Sequence, residues 1–282
     1  MSAQTVDLSD RFRNVYFDTS IYNRLLDDRD SGSIIKAIKR SELVVIPSVI
    51  NLCEMLMTAD KERRIKLIQL YHDLRDDFFP LKPDLWLLRE SAEAIARGTQ
   101  ELGVNYPIEI NDQTIEICSE IKKVAGVGIE ETLQAARVYV QKIAETEKLA
   151  TEEQYFNYLD SDDGHIVLHN LFDSFCKALG CQQTLGDEAG HYLTRSPEMP
   201  WKYFLESTAY LFYRRAFPHS GFGRRANPGQ MDLTQCVYLF WPKRFVVQDG
   251  PFFDFLKQLG RLRNYEILIL DYAEFVTELA SS

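Results

Sequence analysis

Four carboxylates stand at places where an α/β protein can use them for chemistry. Asp18 and Asp249 each follow a short hydrophobic stretch that predicts a β-strand. Glu54 lies on the helix predicted after another such stretch, and Asp232 stands at the head of a late predicted helix. Ligands of α/β proteins bind in the crevice beyond the carboxyl ends of parallel strands. Because each acid belongs to its own strand–helix unit, the four can converge at one edge of a sheet.

A cluster of this kind predicts a metal site. Carboxylates that lie together repel one another, and a divalent cation between them removes the repulsion. Ligand sets made of oxygen alone favour Mg²⁺ or Mn²⁺, whereas zinc prefers histidine and cysteine. Mg²⁺ held by a few carboxylates keeps several waters, and such sites commonly serve phosphoryl chemistry. We therefore expect the four acids to hold one or two Mg²⁺ or Mn²⁺ ions.

Each acid also has an ordinary structural alternative. Asp18 and Asp232 could cap the N-termini of helices, and Asp249 could be a turn residue. An isolated acid such as Glu54 is most often an exposed helix position. The occurrence of all four in comparable settings favours the metal site over four separate explanations.

Two further groups of side chains are candidates for substrate contacts. Thr19 and Ser20 could steady the neighbouring acid or a metal-bound water, and local capping by their hydroxyls is an equal alternative. Arg224 and Arg225 belong to the stretch 191–228, where six basic residues stand against two acidic ones, a local charge of +4. A solvated helix face with a loop is the ordinary explanation. The closeness of this stretch to the third acid makes phosphate contact equally favoured.

Composition limits the partners and the compartment. A net charge of −10 argues against indiscriminate binding to polyanions. No apolar run is long enough to cross a membrane, and the N-terminus lacks the apolar core of a signal peptide. The five cysteines are scattered without a CxxC pair, which favours reduced thiols over zinc binding or disulfides. We expect a cytoplasmic protein with no membrane partner.

The predicted elements alternate between strand and helix towards both ends of the chain. Strands are predicted at 14–17, 43–46, 78–81, 244–248 and 266–270, and a helix follows each of them. Alternation of this kind is typical of a parallel sheet with helices on both faces. The sequence therefore predicts the α/β class.

The middle of the chain has a different pattern. Almost no strand signal occurs in residues 103–228, where several helical segments are separated by Gly, Asn and Pro. We expect residues 1–102 and 229–282 to form one discontinuous α/β domain, with 103–228 as an all-helical insertion. The aromatic residues between 203 and 213 predict a core belonging to the insertion itself. Stacking on bases is the less favoured alternative.

The order and spacing of these pieces resemble the PIN-domain ribonucleases. The resemblance implies a three-layer α/β/α fold with a central parallel sheet, the four acids as catalytic metal ligands, and hydrolysis of RNA. Many compact members are toxins paired with an antitoxin, and these compact members have no counterpart of residues 103–228. The similar segments are 17–22, 46–49 with Glu54, 79–81, Asp232 with 245–249, and 266–275.

Two hypotheses of function follow. The first is a metal-dependent ribonuclease with Asp18, Glu54, Asp232 and Asp249 as its site and single-stranded or structured RNA as substrate, in a toxin-like role or another. The second is a PIN-like scaffold with little or no nuclease activity, whose helical insertion binds a protein partner. The acidic net charge and the size of the insertion favour the second hypothesis, whereas the presence of all four acids favours the first.

Overall fold

The structure is a computed structural model, which describes residues 12–75, 80–96, 129–181, 200–216, 230–248 and 250–281. The strands are β1 (Asn14–Phe17), β2 (Val44–Ile46), β3 (Arg244–Val246) and β4 (Leu268–Leu270). The first five helices are α1 (Thr19–Asp27), α2 (Ser31–Arg40), α3 (Val49–Leu56), α4 (Lys61–Arg75) and α5 (Asp84–Ala96). The next four are α6 (Ile129–Thr146), α7 (Glu152–Leu159), α8 (Asp162–Ala178) and α9 (Pro200–Ala216). The last are α10 (Gln230–Gln235), a 3-10 helix (Cys236–Phe240), α11 (Gly250–Arg263) and α12 (Tyr272–Ser281).

The four strands form one parallel sheet in the order β2-β1-β3-β4. Val15 of β1 pairs with Val45 on one side and with Arg244 on the other. Arg244 in turn pairs with Leu268 of β4. Because all four strands run in the same direction, their carboxyl ends lie at one edge of the sheet. The predicted α/β class with a parallel sheet is confirmed.

The strands other than β1 are shorter than the hydrophobic stretches that predicted them. The stretch 78–81 contributes only a single parallel bridge, between Leu81 and Ser48, and residues 78 and 79 lie outside the described part. β2 and β4 begin one and two residues later than predicted, and β3 ends two residues earlier. The late helix predicted to begin at Asp232 is α10 followed by the 3-10 helix.

Helices cover both faces of the sheet. Val15 and Phe17 of β1 belong to one buried cluster, together with side chains of α1, α2, α4 and α12. Tyr16, which points to the opposite face, belongs to a second cluster with side chains of α5, α6 to α9 and α11. All four residues of β1 are buried, so this central strand meets solvent only beyond its ends.

The helical segments 129–181 and 200–216 pack directly against the sheet domain. Tyr203, Phe204 and Tyr210 of α9 lie in the same buried cluster as Tyr16 of β1. The expectation that these aromatic residues form a separate core is therefore wrong. The reason is that α9 buries side chains on all its sides, so it joins its helical neighbours to the helices that cover the sheet. The domain boundaries at 102 and 229 remain a prediction.

The cysteines divide into two groups. Cys176, Cys181 and Cys236 are free thiols, two of them buried. Cys53 of α3 is disulfide-bonded, so the expectation of reduced thiols is wrong for this residue. Within the described residues, no helix is long and apolar enough to cross a membrane.

Candidate metal centre

Asp18 follows β1 directly and begins α1. Its Oδ2 atom accepts a hydrogen bond from the backbone N–H of Ser20, at 3.0 Å, and another from the Ser20 hydroxyl. The Ser20 hydroxyl also accepts a hydrogen bond from the backbone N–H of Gln248, at 3.0 Å. Asp18 is therefore both a helix cap and a carboxylate held at the carboxyl edge, where β1 and β3 end side by side. Ser20 is the residue that links these two strand ends.

Thr19 takes part in a buried chain of hydrogen bonds instead of facing the edge. Its hydroxyl oxygen accepts from the side-chain amide of Asn51, at 3.1 Å, and Asn51 accepts from the Ser48 hydroxyl, at 2.8 Å. The Ser48 hydroxyl also lies 3.1 Å from the Tyr16 hydroxyl. This chain fixes the start of α1 against the start of α3. Because the Thr19 oxygen is engaged in it, the geometry favours a structural role for Thr19 over substrate contact.

Glu54 lies on α3, one turn beyond Asn51, and is half-buried. Like Asp18, it lies close enough to the buried Tyr16 for its charge to act on that phenol. Burial raises the pKa of Tyr16 well above its ordinary value, and the negative charges of Asp18 and Glu54 raise it further. Two of the predicted ligands therefore act on one buried phenol at the carboxyl edge of the sheet.

Asp232 is half-buried on α10, and its surroundings are different. Its backbone carbonyl accepts a hydrogen bond from the Cys236 thiol, at 3.8 Å. Burial and the nearby charge of Asp232 raise the pKa of Cys236 to about 12. In the part of the chain that the structure describes, no three His, Cys, Asp or Glu side chains form a metal-binding group. Asp249, the fourth predicted ligand, lies outside the described residues.

Asp84 is an acid of the same edge that the sequence analysis did not select. It opens α5 three residues after Leu81, and it is only 2% exposed. Its Oδ1 accepts from the backbone N–H of Leu85, at 2.8 Å, and its carboxylate also hydrogen-bonds the side chain of Thr234. Burial raises the pKa of Asp84 above its ordinary value, and these two hydrogen bonds oppose the rise. Its place after a predicted strand was the signal that could have identified it.

Two buried tyrosines near these acids stack on each other. The rings of Tyr16 and Tyr238 lie 4.9 Å apart and 18° from parallel. The Tyr238 hydroxyl donates to the backbone carbonyl of Lys82, at 2.9 Å. Burial raises the pKa of Tyr238, with the charge of Asp84 as the next contribution. The stack therefore connects β1, the 3-10 helix and the segment leading into α5.

The basic stretch is partly internal. Arg214 is 2% exposed, and its guanidinium carbon lies 5.5 Å from the ring centre of Tyr210 and 5.8 Å from that of Phe255. Lys202 is half-buried and lines a small cavity between α8, α9 and α11. Arg224 and Arg225, the predicted phosphate contacts, lie outside the described residues. At least Arg214 is thus a core residue, contrary to the expectation of a solvated basic surface.

Comparisons with known proteins give no relative. The sequence matches no family model, and neither the curated proteins nor the solved structures contain a significant match to it. The geometry of the carboxyl edge is therefore the basis for assigning a function.

Proposed function

We propose that the protein is a PIN-type endoribonuclease that uses Mg²⁺ or Mn²⁺ to hydrolyse RNA phosphodiester bonds. The observation that supports the proposal is that the charges of Asp18 and Glu54 both act on one buried tyrosine, Tyr16 of β1, in a parallel sheet. The carboxyl edge of such a sheet is where α/β proteins bind ligands. Their carboxylate oxygens suit a hard cation, and the resemblance of the segment order to PIN-domain ribonucleases supports the same assignment.

The chain's own residues would prepare such a site in two ways. Ser20 fixes one oxygen of Asp18 with two hydrogen bonds, which holds the carboxylate in place at the edge. The hydrogen-bond chain from Thr19 to Tyr16 keeps α1 and α3 in register, and with them Asp18 and Glu54. A bound divalent ion supplies a water of lowered pKa and stabilises the charge that develops on the phosphate. Asp232 and Asp249 complete the proposed ligand set.

The proposed substrate is single-stranded or structured RNA in the cytoplasm. The net charge of −10 means that binding must depend on a local basic surface. Arg224 and Arg225 are the proposed phosphate contacts, because Arg214 of the same stretch is used in the core. A toxin-like role with a protein antitoxin is one setting for this activity.

Two observations favour a second candidate, a PIN-like scaffold that binds a protein partner. Asp232 forms no metal-binding group with Asp18 and Glu54 within the described residues. Arg214 of the basic stretch is also buried, which reduces the positively charged surface that could contact nucleic acid. A scaffold would retain the fold without metal-dependent cleavage, so one assay separates the candidates.

The decisive experiment compares RNA cleavage in Mn²⁺ by the wild type, Asp18→Asn and Asp73→Asn. Asp18→Asn keeps the shape of the helix cap and removes a ligand charge, so cleavage should fall about 100-fold or more, beyond the usual loss for an outer-shell residue. Asp73 is an exposed acid of α4, and its amide variant should cleave like the wild type. Equal cleavage by all three proteins would favour the scaffold and a contaminating nuclease.

The same assay across a salt series tests the proposed substrate-binding arginines. Arg224→Ala with Arg225→Ala should weaken RNA binding and reduce the salt slope by about 1 for each phosphate that the variant no longer neutralises. The rate at saturating RNA should change little, because these residues are not proposed to touch the metal.

A further inference from the structure

The chain leaves α8 through a glycine turn that brings two cysteines together. The backbone N–H of Gly180 donates to the carbonyl of Lys177, at 3.1 Å, and that of Cys181 donates to the carbonyl of Cys176, at 2.9 Å. Gly180 has a φ of +71°, in the left-handed region that favours glycine. Two such hydrogen bonds around a left-handed residue define a Schellman motif. In this motif the side chains at the positions of Cys176 and Cys181 frequently touch.

The two thiols meet as the motif predicts. A hydrogen bond joins their sulfur atoms, and the half-buried Cys181 packs against the same buried cluster that contains Cys176. Both residues are free thiols. Two small apolar side chains would fill this contact equally well, so packing alone does not require cysteine at both positions. Since the sulfur atoms are already in contact, a disulfide between them requires little movement of the backbone.

The two thiols differ in their access to solvent. Cys176 is only 4% exposed, whereas Cys181 is half-buried. Burial raises the pKa of both thiols above the ordinary value. Because the thiolate is the reactive form, neither cysteine is a fast nucleophile at neutral pH. Cys181 is the one that a dissolved reagent can reach first.

We propose that Cys176 and Cys181 are a redox pair, which a low-molecular-weight disulfide converts into a disulfide bond across the end of α8. The Cys181 thiol loses its proton to solvent, and its thiolate attacks one sulfur of the small disulfide and expels one small thiolate. The Cys176 thiol then loses its proton, attacks the Cys181 sulfur and expels the second small thiolate. The two released thiolates take up the two protons, so one small disulfide is reduced to two thiols while the protein pair is oxidised.

The bond would close a ring of six residues around the turn and hold the Schellman motif in place. In the reduced form, the motif depends on its two backbone hydrogen bonds and on the contact between the thiols. This redox pair is independent of the proposed nuclease activity, because none of its atoms belongs to the candidate metal centre.

The test incubates the full chain, under native conditions at mildly alkaline pH, in glutathione buffers of increasing oxidised fraction. The remaining thiols are then alkylated in denaturant, and the chain is digested with trypsin. Trypsin cleaves after Lys177, between the two cysteines, so the disulfide would join the peptides 149–177 and 178–195, which otherwise separate. We expect mass spectrometry to detect this linked pair and to find Cys236 alkylated. Absence of the linked pair at every glutathione ratio would overturn the inference, as would a link from either cysteine to Cys236.

Single variants test the order of attack. Cys176→Ser should leave Cys181 as a mixed disulfide with glutathione, because the second thiol is missing. Cys181→Ser should leave Cys176 mostly unmodified, because its thiol is buried. Cys236→Ser is the matched control, and it should form the linked peptides like the wild type. Linked peptides that appear only when the chain is oxidised in urea would show that the fold does not bring the thiols together, and the inference would then be wrong.

Discussion

The carboxyl edge of the sheet and the helical segments 129–181 and 200–216 bury charged groups in different ways. At the edge, Asp18 and Asp84 are held by short hydrogen-bonding side chains and backbone amides, with aromatic rings behind them. In the helical segments, each buried charge has a long partner or an aromatic surface. Glu206 meets Arg263, and Arg214 lies over two rings.

The difference lies in the groups that hold each charge. The ion pair of Glu206 with Arg263 stabilises the junction of α9 with α11. Asp18 and Asp84 accept hydrogen bonds from uncharged groups. A cation site requires negative charge that the cation can balance, whereas a structural junction requires charges that balance each other.

The largest effect that would sharpen this comparison is expected for Trp201→Ala. Trp201 is fully buried, its ring lies 4.6 Å from that of Phe172, and its indole N–H donates to Leu88 of α5, at 2.9 Å. Its loss should lower the free energy of unfolding by about 3–5 kcal/mol, through the cavity left between α8, α9 and α5. Trp86→Ala is the matched control, since Trp86 is 36% exposed and should cost about 1 kcal/mol or less. Urea unfolding followed by circular dichroism measures both. If both substitutions lowered the free energy of unfolding equally, α9 would not be the helix that joins the helical segments to the sheet domain in one core.

A smaller loss is expected for Glu206→Gln. Glu206 is 3% exposed, lies 2.6 Å from Arg263, and accepts a hydrogen bond from the Tyr265 hydroxyl. Removing its charge leaves Arg263 with Asp160 as its remaining ion-pair partner, so unfolding free energy should fall by about 3 kcal/mol.

The control for this prediction is Glu278→Gln, which breaks the pair with Arg244 at 2.8 Å. Both partners there are partly exposed, at 30% and 20%. This pair should contribute about 1 kcal/mol or less. If Glu206→Gln and Glu278→Gln lower the free energy of unfolding in urea by the same amount, the buried pair of Glu206 with Arg263 does not stabilise the helical junction more than an exposed pair does.

The smallest of the three effects tests the hydrogen-bond chain at the sheet edge. Asn51→Ala should lower the unfolding free energy by about 2 kcal/mol, because it leaves the Ser48 hydroxyl and Thr19 without their buried partner. Thr19→Val should cost less, and the double variant should cost less than the sum by about 1 kcal/mol. The measurement is a double-mutant cycle in urea. Additive losses would show that Asn51 and Thr19 do not interact.

Hydrophobic pattern was sufficient to predict the sheet but not its details. The stretches that form β1 to β4 are short apolar runs, each followed by the start of a helix. In a chain that alternates between strand and helix, a short apolar run of this kind is readily identified as a buried strand. The length of each strand depends on how far its neighbour continues, which the local sequence does not contain. The stretch 78–81 shows this, because Leu81 alone finds a partner within the described residues, at Ser48.

The candidate site was predictable in part for a related reason. Asp18 and Glu54 follow strands at fixed offsets, so their placement at one edge could be inferred from the order of elements. The burial of Arg214 could not be inferred from the sequence, because a pair of arginines near the end of a helix suggests a solvated surface. The ring that covers Arg214 belongs to Phe255, which lies on another helix some 40 residues later in the chain.

The pairing of β1 with β3 has a consequence for synthesis of the protein on the ribosome. Val15 pairs with Arg244, roughly 230 residues later, and β1 is the central strand of the sheet. At about 5–20 residues per second, the ribosome makes β3 on the order of 10–45 s after β1. During this interval one edge of an apolar strand has no native partner, and pairing across so long a loop is slow. The nascent chain therefore carries an aggregation-prone strand edge until β3 has emerged and paired with β1.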